Sequence, residues 1–232
     1  MSKKQYSGKT VKRFSKPVIF AHWLNAAAFI VLYLSALPLY TEWFDWMFLI
    51  FGGAEGARLV HRVAAVFFVL PTVFILLADP KSFFHWIKQC FTWSKNDFGF
   101  MTRFIKEFFT GNVKNMPKQD FYNGGEKFNS LLQILCAILL IGSGIVIWFP
   151  QYFGSGLIQT MYPIHSFSAA LAVAVVVGHV YLSIGHPNSK ISIRGMTKGD
   201  VPIEYAKEHH ENWYDELMEE EKKKKKQSEK GA

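Results

Sequence analysis

Four apolar runs decide what this chain can fold into: about Val18–Tyr40, Leu59–Ala78, Phe128–Phe149 and Met161–Ile184. A helix needs ~20 mostly apolar residues to cross a hydrocarbon core ~30 Å thick. A soluble domain of 232 residues has no use for four such runs. In lipid every backbone polar group must be satisfied within its own segment, so each run is expected to be a helix. The first run is longer than the apolar part of a signal peptide, and no small-x-small cleavage site follows it, so it is read as a span. The expected class is an all-α membrane protein, a four-transmembrane-helix bundle with interfacial amphipathic helices.

The net charge is +8, and its placement argues against nucleic acid as the partner. Six Lys and Arg precede the first run, eight lie between Asp79 and Lys127, and ten follow the fourth run. The remaining two, Arg58 and Arg62, flank His61. The segments Pro38–Ala57 and Pro150–Thr160 contain neither residue type. The positive-inside rule therefore puts both termini and the long middle segment in the cytoplasm. The resulting plan has a cytoplasmic basic N-terminus (1–17), a four-helix transmembrane domain (18–185) and a cytoplasmic C-terminal tail (186–232). The spans are about 18–40, 59–78, 128–149 and 161–184, with a cytoplasmic amphipathic segment at 79–127. The basic surplus also suits contact with lipid headgroups.

Residues 1–17 are expected to be mobile until Pro17 starts the first helix, and Pro38 is expected to end it. Thr41–Phe51 is too short to span, and its Trp43 and Trp46 suit a helix lying in the outer interface. Glycines 52, 53 and 56 turn the chain into the second run, and His61 is expected at the start of that helix. Pro71 predicts a kink. The mixed Phe, Trp and Lys of Lys81–Gly111 predict one or two amphipathic helices on the inner face, with His85 at the surface. Gly142-Ser143-Gly144 reads either as close helix packing or as room for a bulky flat ligand. Cys90 and Cys136 fall in different compartments, so no disulfide is expected, and there is no C-x-x-C-H for covalent haem.

The spans hold four histidines. His165 and His179 are fourteen residues apart in one apolar run. On a helix that is ~21 Å of rise and a return to nearly the same face. An ionisable residue inside a membrane span is functional by default. By the charge-derived topology, His22 and His179 lie toward the cytoplasm, and His61 and His165 toward the outside. Two pairs at two depths are what two six-coordinate haems require, since each iron needs two axial ligands. The bundle is thus expected to hold two b-type haems, one on His22 and His179 and one on His61 and His165. Arg58 and Arg62 suit haem propionates and equally suit lipid phosphate. A di-iron bundle would need inward carboxylates, and zinc would gather three or four ligands at one depth.

The chain also resembles the gamma subunit of respiratory formate dehydrogenase, a membrane di-haem cytochrome b. The resemblance runs from about Phe14 to Met218. It rests on His22-Trp23, on Arg58-Leu59-Val60-His61 and on Asn123-Gly124-Gly125-Glu126-Lys127. Further matches are Ile147-Trp148-Phe149-Pro150, Ile164-His165, His179-Val180-Tyr181, Gly195-Met196, His209-His210 and Trp213-Tyr214. It implies His22, His61, His165 and His179 as haem ligands, paired as above, and a quinone-site asparagine at Asn123, near His179. Some members have Gln-Lys where this chain has Glu126-Lys127, which makes Glu126 a candidate proton donor and Lys127 its neighbour in the candidate quinone site. The implied partners are an outer iron–sulfur beta subunit and a molybdenum- or tungsten-containing alpha subunit that oxidises formate. The implied acceptor is menaquinone, reduced at the cytoplasmic face, and the implied location is the bacterial cytoplasmic (inner) membrane. The chain has nothing to hold a molybdopterin or an iron–sulfur cluster, so its own chemistry is quinone reduction. A two-haem cytochrome b serving a hydrogenase or thiosulfate reductase stays open as the alternative.

Overall fold

The structure is a computed structural model and describes residues 8–110 and 116–230. Residues 1–7 of the expected N-terminus, 111–115 of the amphipathic segment and 231–232 of the tail lie outside the described residues.

A short strand β1 (Thr10–Lys12) precedes helix α1 (Lys16–Tyr40). Ser15 caps α1, its hydroxyl accepting from the Val18 amide, and Pro17 supplies a first turn that needs no amide hydrogen. The helix runs through Pro38 and stops at extended Thr41, two residues beyond the expected end. A 3₁₀ turn (Glu42–Met47) and the single helical turn α2 (Phe48–Phe51) follow. Gly52 and Gly53, at φ 74° and 91°, make the left-handed reversal into α3 (Gly53–Ala78). This helix starts six residues earlier than the apolar run suggested. His61 is therefore about two turns inside α3 rather than at its start. Pro71 is buried within α3, which continues past it to Ala78.

Asp79 ends α3 and opens α4 (Pro80–Phe91), where Ser94 and Asp97 introduce α5 (Lys95–Thr110). The amphipathic segment is thus two helices, with His85 exposed. Helix α6 (Gly124–Trp148) is followed by a 3₁₀ turn (Pro150–Tyr152) and α7 (Ser155–Val180), which runs on as a π turn (Tyr181–Gly185). Beyond it come α8 (Ile193–Lys198), strand β2 (Asp200–Pro202), α9 (Ile203–His209) and α10 (Glu211–Lys230).

The chain divides into two compact units. One holds residues 13–86 and 196–199, and its body is the hairpin of α1 against α3. Asp79 ties the open end of that hairpin: its carboxylate accepts from the Ser15 hydroxyl at 2.6 Å and from the Ser82 hydroxyl at 2.8 Å. The other unit, over the described residues, holds 8–12, 87–110, 116–195 and 200–230, and its body is the hairpin of α6 against α7. In this second unit β1 pairs antiparallel with β2, Val11 opposite Val201. For Thr10–Lys12 the pairing overturns the expectation of mobility before Pro17. Its physical reason is a small core on the tail side, Val201, Tyr205, Ala206 and Trp213, against which Val11 packs. Cys90 and Cys136 are buried free thiols, and burial pushes the Cys90 thiol above its ordinary range.

Four helices among the described residues are long and apolar enough to cross a membrane: α1, α3, α6, and α7 with its π turn. Only 11–17% of the residues in each span's most apolar window are buried inside the protein. Phe167, Leu77 and Ile138 stand on their outer faces at 71%, 78% and 63% exposure. In water such faces would be a severe liability, and in a bilayer they meet acyl chains.

Candidate metal centre

Each hairpin builds the same small device. In the first, Ser35 is completely buried on α1, five residues from the helix end. Its hydroxyl donates back to the Val31 carbonyl at 2.7 Å, with Leu32 O at 3.1 Å. A serine inside a span has no water, and the carbonyl four residues back is the ready acceptor. Across the hairpin, Nδ1 of His61 on α3 lies 3.1 Å from Ser35 Oγ and 3.1 Å from the Leu32 carbonyl.

In the second hairpin Ser143, 2% exposed, stands five residues from the end of α6. It donates to Leu139 O at 2.6 Å, with Leu140 O at 3.3 Å, and Nδ1 of His165 on α7 lies 2.9 Å from its oxygen. The Leu140 carbonyl bonds the same ring. Gly144 beside Ser143 faces the same ring, where a Cβ would make an ordinary contact of 3.5 Å with His165 Cε1.

These contacts fix the tautomer. A carbonyl oxygen can only accept, and each serine has already given its single proton to a backbone carbonyl. Nδ1 of His61 and of His165 must therefore carry the hydrogen, which leaves Nε2 of both with its lone pair. A neutral imidazole with Nδ1–H held by an oxygen and Nε2 bare is the form that ligates iron. The donor set thus fits an axial haem ligand at both positions.

His22 is on the second turn of α1, half-buried, its ring edge-on to Trp23 at 5.3 Å. The Trp23 indole donates to the Met196 carbonyl at 2.6 Å, so Trp23 fastens the start of α1 as well as suiting an interface. His22 is thirteen residues before Ser35, which places it ~20 Å along the hairpin from the level of His61. His179 is exposed near the end of α7, ~21 Å from His165. Within each unit the two histidines are thus ~20 Å apart along the helices. His179 is followed by a π turn, a local winding that concentrates at functional positions. Arg58 and Arg62 are exposed on α3, and Arg58 pairs with Glu55 one turn back.

Asn123 and Glu126 form a reciprocal cap at the start of α6. Asn123 Oδ1 accepts from the Glu126 amide at 2.9 Å, and Glu126 Oε2 accepts from the Asn123 amide at 3.0 Å. The Glu126 carboxylate is close enough to His179 to act on it electrostatically. Lys127, by contrast, is sealed in. Its ammonium has 0% exposure, lies 3.0 Å from Asp97 and 3.2 Å from Asp120, and donates to the Thr92 carbonyl at 3.1 Å. Its partners come from the turn before α5, from α5 itself and from the segment before α6.

Sequence reasoning missed what holds this corner. Gln119 accepts from the Gly124 amide at 2.7 Å, and a Cβ on Gly124 would meet the Asp97 carbonyl at 2.7 Å. His210 is fully buried, with Nδ1 2.8 Å from the Asp120 carbonyl, and Asn212 donates to the Asp120 carboxylate at 2.9 Å. The tail thus reaches back to the loop before α6. A lone lysine entering an apolar run was the one available signal that buried acids were waiting for it.

The model of the prokaryotic cytochrome b561 family matches residues 13–199. Over 216 residues the chain is 28% identical to the formate dehydrogenase cytochrome b556(fdo) subunit of Escherichia coli strain K12, covering 90% of this chain and 93% of the relative. It is 27% identical over 225 residues to the formate dehydrogenase cytochrome b556 subunit of Haemophilus influenzae, covering 93% and 87%. It is also 27% identical over 205 residues to the nitrate-inducible cytochrome b556(Fdn) subunit of Escherichia coli K12, covering 84% and 86%.

Proposed function

The chain belongs to the prokaryotic cytochrome b561 family, whose members are membrane proteins that bind b-type haem, and on that premise we propose that it is the cytochrome b subunit of a membrane-bound formate dehydrogenase. The observation that carries the reading is the matched presentation of His61 and His165, each with Nδ1 held by a buried serine on the facing helix of its hairpin, which makes Nε2 the nitrogen that keeps its lone pair. Similarity to formate dehydrogenase subunits over most of both chains supports the choice of enzyme. Two haems, when bound, would supply one-electron carriers between an outer iron–sulfur subunit, which serves a molybdenum or tungsten subunit, and menaquinone on the cytoplasmic side.

His61 and His165 would hold the outer group, and His22 and His179 the inner one. Arg58 and Arg62 would neutralise propionates at the outer end. Asn123 would donate a hydrogen bond to a quinone carbonyl, and Glu126, close to His179, would hand it a proton. Lys127, held between Asp97 and Asp120, would keep that cap in place. The distribution of Lys and Arg supports both termini facing the cytoplasm of a bacterial inner membrane.

Purification of the native complex tests this. Co-purifying iron–sulfur and molybdenum or tungsten subunits, with formate-driven reduction of the haem absorbance, are the expected result. Partners of hydrogenase or thiosulfate reductase type would overturn the assignment. In the same preparation Glu126→Gln should slow quinone reduction while leaving haem reduction by formate unchanged.

A further inference from the structure

The two serines do more than pack helices. We propose that Ser35 and Ser143 are positioning residues that set the reduction potential of the outer haem, which rests on the reading that His61 and His165 ligate it. The geometry is duplicated in two separate hairpins. A buried serine gives its proton to the carbonyl four residues back and turns its oxygen to Nδ1 of a histidine on the returning helix. The carbonyl three residues before the serine accepts from the same ring in both cases. Helix packing alone would be served as well by alanine, which is smaller and brings no polar atom into the span. A hydroxyl costs free energy to bury there unless its bonds are made, and here the bond it accepts is the one from imidazole.

The physical consequence is directional. Hydrogen-bond donation from Nδ1 makes imidazole a more basic ligand, and a more basic ligand stabilises the oxidised metal. Where His61 and His165 hold the same group, the two bonds would act in the same sense. Each also restrains the ring, which for His61 has Nδ1 between a hydroxyl and a carbonyl. Together they keep the outer haem at a lower potential than its ligands alone would give. They also oblige Nε2 to remain the metal-facing atom. Without the hydroxyl the ring keeps only the carbonyl, so the effect of a single substitution is partial.

The test uses the full-length chain in its native complex, with variants Ser35→Ala, Ser143→Ala and the pair. Potentiometric titration of the haem absorbance and the electron paramagnetic resonance of the oxidised protein are the readouts. The component that His165→Ala removes is assigned as the outer haem. Its potential is expected to rise in each single variant and further in the double, and its resonance to shift, while the inner component stays in place. Haem affinity at the outer position should fall by ~10-fold or more in the double variant. Where an alanine variant fails to assemble, Ser35→Cys and Ser143→Cys fill the site with a slightly larger group that is a weaker acceptor, and the same rise is expected. An outer potential and resonance unchanged in variants that retain the haem would overturn the proposal, as would an equal shift of both components. If His165→Ala itself retained every component, the ligand reading would fail instead, and the two failures are thereby told apart.

Discussion

The α1/α3 and α6/α7 hairpins are alike at one end and unlike at the other. At the first end both seat a histidine against a buried serine placed five residues from a helix terminus. At the second end the first hairpin is tied by Asp79, which gathers two serine hydroxyls and the Ser82 amide. The second hairpin is tied by a buried cation between two carboxylates, beside a reciprocal helix cap and under a folded tail. A shared seat with divergent closures separates two tasks. The seat of His61 and the seat of His165 use the same pair of oxygens, a serine hydroxyl and a backbone carbonyl. The charged corner, which the proposed function makes the quinone end, is built on the α6/α7 hairpin.

The largest effect expected from breaking the shared end is loss of haem. His61→Ala and His165→Ala should each remove the same optical component, although they lie in different hairpins. Haem quantification and redox titration of the two variants check this, and loss of different components would break the pairing. Next comes the charged corner. Lys127→Met leaves Asp97 and Asp120 without their cation, and removing one member of a buried pair costs about 3–5 kcal/mol. Denaturation followed in detergent should show that loss. Smaller again, Gly124→Ala forces a methyl to within 2.7 Å of the Asp97 carbonyl, and such overpacking costs about 1–3 kcal/mol. Smallest are the caps. Asp79→Ala and Asn123→Ala should each cost about 1 kcal/mol. They should part company in function, with Asn123→Ala alone raising the KM for quinone.

Much of this was legible before any coordinates. Length and hydropathy located the four spans, because a bilayer imposes one requirement on every such segment. The histidines stood out because a nitrogen ligand inside an apolar run calls for a partner, and four of them fall at the ends of three runs. Span starts were read late by four to six residues at α3, α6 and α7, since Gly-Ala-Glu-Gly, Gly-Gly-Glu-Lys and Ser-Gly-Leu-Ile are not apolar enough to join the runs. Ser35 looked like any small residue in a span. Ser143 was noticed only for its size within Gly142-Ser143-Gly144. Neither could be tied to a histidine 26 or 22 residues away without the hairpin. The tail was equally opaque: Val11, Val201 and Trp213 join one small core only through a long-range strand pairing.

Four imidazoles holding two haems at two levels is the central claim, and haem per chain measures it most directly. Purified from cells well supplied with porphyrin, the complex should give two b-type haems per copy of this chain by pyridine haemochromogen assay, and one after His165→Ala. A single haem in the native chain, or two retained after that substitution, would contradict it.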